Sequence, residues 1–256
     1  MQHAFAVTGL LGCSVEASDG RVGVVKDFLF DDEGWRIRWM EVDAVGWLSG
    51  RKVLIHPSAI EPLDVSEPSN RLPMMSGQQK PVVSVRLTKQ QIQAGPATPE
   101  DAPVTKQVEV RLYEYFGWDP AWGASYFRAR VISKPTPPSQ AGDGGADPDL
   151  MSAASVKGYH VHATDGDLGH IENLLGDDAN WDIRYLVIAT RNWLPGKHVQ
   201  MAPFAVTGVD AAERRVDLKV TREQVKSAPE WDPIATAGQA AEQSLHRHFG
   251  WPGYGW

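Results

Sequence analysis

GCSVEASDGRVGVVKDFLFDDEGWRIRWMEVDAVGWLSGRKVLIHPSAI, residues 12–60, occurs twice in this chain of 256 residues. Residues 158–206, GYHVHATDGDLGHIENLLGDDANWDIRYLVIATRNWLPGKHVQMAPFAV, repeat it without a gap at an offset of 146, with 18 identities in the 49 paired positions. The identities include Asp19-Gly20 with Asp165-Gly166, Gly23 with Gly169, Asp31-Asp32 with Asp177-Asp178, Trp35 with Trp181, Ile37-Arg38 with Ile183-Arg184, and Pro57 with Pro203. Self-similarity at a fixed offset decides the architecture before any local reading, because each copy must fold to the same unit.

Within a copy the pattern is that of short strands and tight turns. Residues 13–18 read as a strand, and Asp19-Gly20 supplies the positive φ of a two-residue hairpin. Residues 21–30 form a second strand without clean alternation, so Gly23 marks a bulge or both faces are partly covered. Asp31-Asp32-Glu33-Gly34 is a turn, a place Asp favours because its carboxylate bonds nearby backbone N–H groups. Trp35, Ile37 and Trp39 then alternate with Arg36 and Arg38, the period of a half-buried strand. Residues 52–56 and 198–202 are strands stopped by Pro57 and Pro203. Residues 59–65 and 82–87 complete the first set, and 204–209 and 214–220 the second. Such strands predict a small antiparallel barrel in each copy.

The offset then changes. Val83–Pro96 matches Val216–Pro229 at 133, so the first copy holds 146 − 133 = 13 extra residues, assigned to a surface loop at Ser66–Gln79. Each copy ends in a helix. Val104–Phe116 puts Val108, Leu112 and Tyr115 on one face, and Thr236–Phe249 puts Ala241, Leu245 and His248 on the equivalent face. Thr236 and Gln239 have capping-box spacing, and Gly117 and Gly250 stand where a helix-ending glycine belongs. Aromatic tails follow in both copies. The Pro/Gly/Asp-rich stretch Ser133–Leu150 reads as a linker. The expected organisation is a first repeat with its helix at 1–132, the linker at 133–150, and a second repeat with its helix at 151–256.

These residues resemble PRC-barrel domains, the small β-barrel of the photosynthetic reaction-centre H subunit and of a ribosome-maturation factor. The resemblance rests on the first hairpin (ASDGRVG; ATDGDLG), the acidic turn before a strand (FDDEGW; GDDANW) and the third turn (GWLSGRKVLIHP; NWLPGKHVQMAP). The ends, LTKQQIQAGP…YEYFGW and VTREQVKSAP…RHFGW, are similar to a bacterial tandem subgroup with a helix and aromatic tail after each barrel. The resemblance implies a mainly β, cytoplasmic protein of two tandem barrels whose halves pack like a fused homodimer. It implies no chemistry, since fold and function separate. The H subunit carries a membrane helix before its barrel and the ribosome factor a separate domain; this sequence shows neither, so neither partner is expected.

Composition narrows the function further. A net charge of −7 disfavours general binding to nucleic-acid backbones. No apolar run reaches the length of about 18–20 residues that a membrane helix needs. The one cysteine, Cys13, allows no internal disulfide and has no partner in a nucleophile motif. Leu10-Leu11-Gly12-Cys13 resembles a lipoprotein cleavage box, but the stretch before it lacks Lys and Arg, and the repeat makes it the start of a strand. His160, His162 and His170 are candidate zinc ligands private to the second copy. No phosphate loop, nucleophile elbow or zinc spacing occurs, so no cofactor and no enzyme is expected. The candidate interaction residues are the aromatic tails: Tyr115, Trp118, Trp122, Trp251, Tyr254 and Trp256. Trp118 and Trp251 are expected to pack and Tyr254 and Trp256 to be available. The expected function is binding, as an adaptor or assembly module for a protein partner, with homo-oligomer formation open. The alternatives are a ribosome- or RNA-processing-associated factor, or a metal-dependent regulator or enzyme using the three histidines.

Overall fold

The computed structural model describes residues 4–44, 46–48, 50–63, 80–120, 150–190, 197–229 and 239–254. The first copy carries β1 (Ala4–Ala6), β2 (Ser14–Ala17), β3 (Gly20–Asp31), β4 (Arg36–Asp43), β5 (Arg51–Ile55), β6 (Val82–Ser84), α1 (Lys89–Ala94), β7 (Thr98–Pro99) and α2 (Lys106–Phe116). The second carries β8 (Leu150–Ser152), α3 (Ala153–Val156), β9 (His160–Ala163), β10 (Gly166–Asp177), β11 (Ile183–Ala189), β12 (His198–Met201), β13 (Val206–Asp210), β14 (Arg215–Leu218), α4 (Arg222–Lys226) and α5 (Gln239–Phe249). The expected loop at 66–79, the core of the linker and Thr236 lie outside the described residues. Leu150, expected in the linker, begins β8.

The protein is mainly β, with two mixed seven-stranded sheets. One runs β6-β2-β3-β4-β5-β7, and the other β12-β11-β10-β9-β14-β13. The β2–β6 and β9–β14 pairs are parallel. Both hydrogen-bonded paths are open among the described residues. After β5 a 3₁₀ turn carries the chain to the far edge, where Ile60 bridges Val85.

Each sheet takes one strand from the other copy. Strand β1 pairs antiparallel with β10, Ala4 opposite Asp177, and β8 pairs with β3, Leu150 opposite Asp31. Positions 4 and 150, like 31 and 177, differ by 146, so the exchange is reciprocal. At its centre Ile37 N–H donates to Trp181 C=O at 2.9 Å and Ile183 N–H donates to Trp35 C=O at 2.6 Å. Trp35 and Trp181 hold positive φ, 50° and 58°, where the acidic turn delivers the chain to this junction. One contiguous apolar cluster contains Phe5, Val25, Phe28, Ile37, Val161, Ile171 and Ile183, side chains of both copies.

The local chemistry of the repeat explains the shared residues. Residues 18–19 and 164–165 form the hairpin loops, one residue earlier than expected, with Gly20 and Gly166 opening the strands at φ 128° and 147°. Asp19 and Asp165 do something else: their Oδ1 atoms accept from Lys89 N at 2.7 Å and Arg222 N at 2.8 Å, at the starts of α1 and α4. These two short helices also carry capping boxes, Thr88 with Gln91 and Thr221 with Gln224. Gly23 and Gly169 are required because a Cβ there would lie 2.0 Å from Asp43 O and 2.1 Å from Ala189 O.

The alternation read across Trp35, Ile37 and Trp39 holds in burial, with Arg36 and Arg38 only partly covered, but the three side chains do not share one face. The β3–β4 register shifts so that Leu29 faces Trp39 while Phe30 faces Ile37, leaving Arg38 as a bulge. The same shift recurs at Arg184. The bulge rotates the strand by one position. Ile37 therefore enters the shared core, while Trp39 enters a separate cluster under α2 with Leu54, Val108 and Leu112.

Candidate functional site

The best-defined constellation occurs once per copy, where the C-terminal helix and its tail lie on the outer face of the sheet. In the first copy Glu109 of α2 is buried at 2% exposure. Its Oε2 accepts from Arg38 Nη2 at 2.7 Å and its Oε1 from Trp39 Nε1 at 2.6 Å. In the second copy Glu242 of α5 accepts from Tyr185 Oη at 3.0 Å and pairs with Arg184 Nη2 at 3.4 Å. The bulged arginine and the residue after it thus hold the helix in both copies through a charge-assisted pair. Sequence reasoning read these arginines only as the alternate positions of a half-buried strand and did not find the glutamates. The available signal was the recurrence of Arg38/Arg184 at one offset and Glu109/Glu242 at the other.

The helix faces differ from the expected ones. In α2, Val108, Glu109 and Leu112 are buried, whereas Tyr115 is 46% exposed. In α5, Leu245 and His246 are buried, while Ala241 and His248 are exposed. Each helix ends on a left-handed glycine, Gly117 at φ 67° and Gly250 at φ 68°. That turn folds the next ring back: Trp118 stacks on Phe116 at 4.2 Å, and Trp251 on Phe249 at 4.3 Å.

Each copy seats one imidazole between sheet and tail, from different parts of the chain. His56, at the end of β5, stacks on Trp118 at 5.6 Å and meets Trp39 and Tyr113 edge-on. Ser58 N–H donates to its Nδ1 at 3.3 Å, and the Ser58 hydroxyl lies 2.7 Å from the same nitrogen. Burial, with Arg38 and Arg36 adding to it, lowers its pKa to about 4. In the second copy Ala202 stands where His56 would be, and the ring comes from His246 of α5, where the first copy has Tyr113. His246 Nδ1 faces Pro252 C=O at 2.5 Å, so that nitrogen carries the proton. Its Nε2 lies 2.8 Å from Tyr185 Oη. Burial lowers the His246 pKa and raises that of Tyr185.

The tail residues fall as follows. Trp118 and Trp251 are partly buried and packed against the core. Tyr254, expected to be available, is packed. Its hydroxyl donates to Arg184 C=O at 2.7 Å, the Arg184 guanidinium lies 4.2 Å over its ring, and Phe204 stacks on it at 5.6 Å. The His246 ring nitrogen at Pro252 C=O and the Tyr254 hydroxyl at Arg184 C=O hold this tail in place. Trp122 and Trp256 lie outside the described residues.

The three candidate histidines do not assemble. His160 and His170 are register partners on β9 and β10, while His162 stands beside Asp167 at 3.8 Å. Among the described residues no group of three His, Cys, Asp or Glu side chains could hold a metal ion. Cys13 is buried, and that burial pushes its thiol pKa up, away from reactivity. Asp31 and Asp177 cap their turns, Asp177 Oδ1 accepting from Asn180 N at 2.7 Å.

Residues 2–67 match the PRC-barrel domain family. The match spans β1 to β5 and the turn beyond, and it points to a protein-interaction or assembly module. The second copy is tied to the first by the internal repeat and by its shared strand order and bulges. No curated protein matches this chain. No helix among the described residues is long and apolar enough to cross a membrane.

Proposed function

We propose that this chain is a non-enzymatic protein-binding or assembly module of two PRC-type barrels, each capped by its helix and aromatic tail, in the cytoplasm of a bacterium. The observation that carries the reading is where the buried and partly buried polar groups are used. Glu109, Arg38, Glu242, Arg184, Asp27 and Asn173 hold helices and exchanged segments in place. Polar chemistry spent on holding the fold favours a scaffold over a reaction centre. The matched family supports the same reading, and the net charge of −7 argues against a nucleic-acid backbone as partner. Tyr115 and Val110, 46% and 51% exposed on α2, are the outward apolar side chains offered to a partner. Affinity purification of the tagged full chain from its native cell, with mass spectrometry, tests this. The expected result is a protein retained in fixed stoichiometry by the wild type and reduced by Tyr115→Ala. Retention of ribosomal subunits alone, or of no protein, contradicts it.

A further inference from the structure

The reciprocal exchange around residues 35–37 and 181–183 is a two-fold arrangement written in one chain. In such an arrangement the residue on the axis meets its own equivalent. Here Arg36 bridges Asp182, and 182 − 36 = 146, the repeat offset. Two copies of the same repeat would bring Arg to Arg or Asp to Asp. The unlike copies bring Arg36 Nε and Nη2 to Asp182 Oδ1 at 2.9 Å and 2.8 Å, with the Asp182 side chain 5% exposed.

A second feature points the same way. Phe5 packs over Gly176, where a Cβ would stand 2.9 Å from the Phe5 ring. At the equivalent contact Met151 faces Phe30. Pairing two first repeats would set Phe5 against Phe30 and overfill the site, while pairing two second repeats would set Met151 against Gly176 and leave a void. The backbone bonds of the junction, by contrast, are the same from either side and select nothing.

We infer that Arg36 with Asp182, aided by the Phe5–Gly176 and Met151–Phe30 fits, is a pairing code that joins unlike repeats. It bars like repeats of two chains from joining through this surface. A buried like-charge pair is heavily penalised, so the code acts by exclusion more than by added affinity.

The test uses full-length chains. Arg36→Asp and Asp182→Arg each place like charges on the axis, and each lowers Tm by about 10 °C. The decisive sample is the equimolar mixture of the two variants, refolded together. Each chain then carries the charge the other lacks, and the mixture yields a 1:1 dimer that melts above either variant alone. The charge-reversed double variant, Arg36→Asp with Asp182→Arg, recovers at least half of the lost Tm at the mass of one chain. A mixture that behaves as the sum of its parts, single variants as stable as the wild type, or a double variant without recovery overturns the inference.

Discussion

Asp27 and Asn173 occupy equivalent bulge-flanking positions and perform one task. Asp27 accepts from Ala154 N at 3.0 Å and from the Ser152 hydroxyl, and Asn173 accepts from Thr8 N at 3.2 Å and Thr8 Oγ1 at 2.8 Å. Each thus caps the first turn that follows the other copy's exchanged strand. Burial raises the Asp27 carboxyl pKa against the opposing hydrogen bonds, so its charge is a burden that Asn173 does not carry. Asp27→Asn therefore changes stability by less than about 0.5 kcal/mol at neutral pH, whereas Asp27→Ala costs about 1–2 kcal/mol by denaturant unfolding. His56 gives the pH dependence. Its pKa falls from 6.5 unfolded to about 4 folded, so its neutral form is fully accommodated above 6.5 and stability is lost as pH drops between these values. The loss at the lower end is roughly 3 kcal/mol, and the wild type minus His56→Phe difference in unfolding free energy shows it as a slope confined to that window. Neither role was visible in the sequence. An Asp/Asn pair at one offset reads as neutral drift, and a histidine before a proline reads as the end of a strand, until the packing shows what each one touches.

At the scale of elements, strands and turns were legible because the aspartates of the acidic turns, Asp31 and Asp177, and the turn glycines and prolines act locally, and because every feature occurred twice. Two things were not. The bulges at Arg38 and Arg184 shift the strand by one residue, and period-two reasoning, which read both arginines only as alternate positions of a half-buried strand, did not show that each anchors a helix. The exchanged strands β1 and β8 are three residues long, too short to carry a pattern, and their partners lie in the other copy. Phe5 tests the exchange. It is fully buried and meets Trp181 edge-to-face at 5.0 Å. Phe5→Ala costs about 3–5 kcal/mol, and amide exchange should quicken at Gly176 and Leu175 of β10, more than 160 positions away in sequence. Faster exchange confined to residues 12–60 would contradict the assignment of β1.

At the scale of the whole molecule, the duplication predicted one small barrel in each copy, the two packed like a fused homodimer. The structure instead places side chains of both copies in one buried cluster and lends each sheet a strand from the other. That coupling depends on contacts across the repeat, which no single copy encodes. Scanning calorimetry of the full-length chain tests this most directly, by comparing the calorimetric and van't Hoff enthalpies of unfolding. The account predicts one transition with the two enthalpies equal within error. Two transitions, or a calorimetric enthalpy near twice the van't Hoff value, would show that the copies unfold independently and would contradict it.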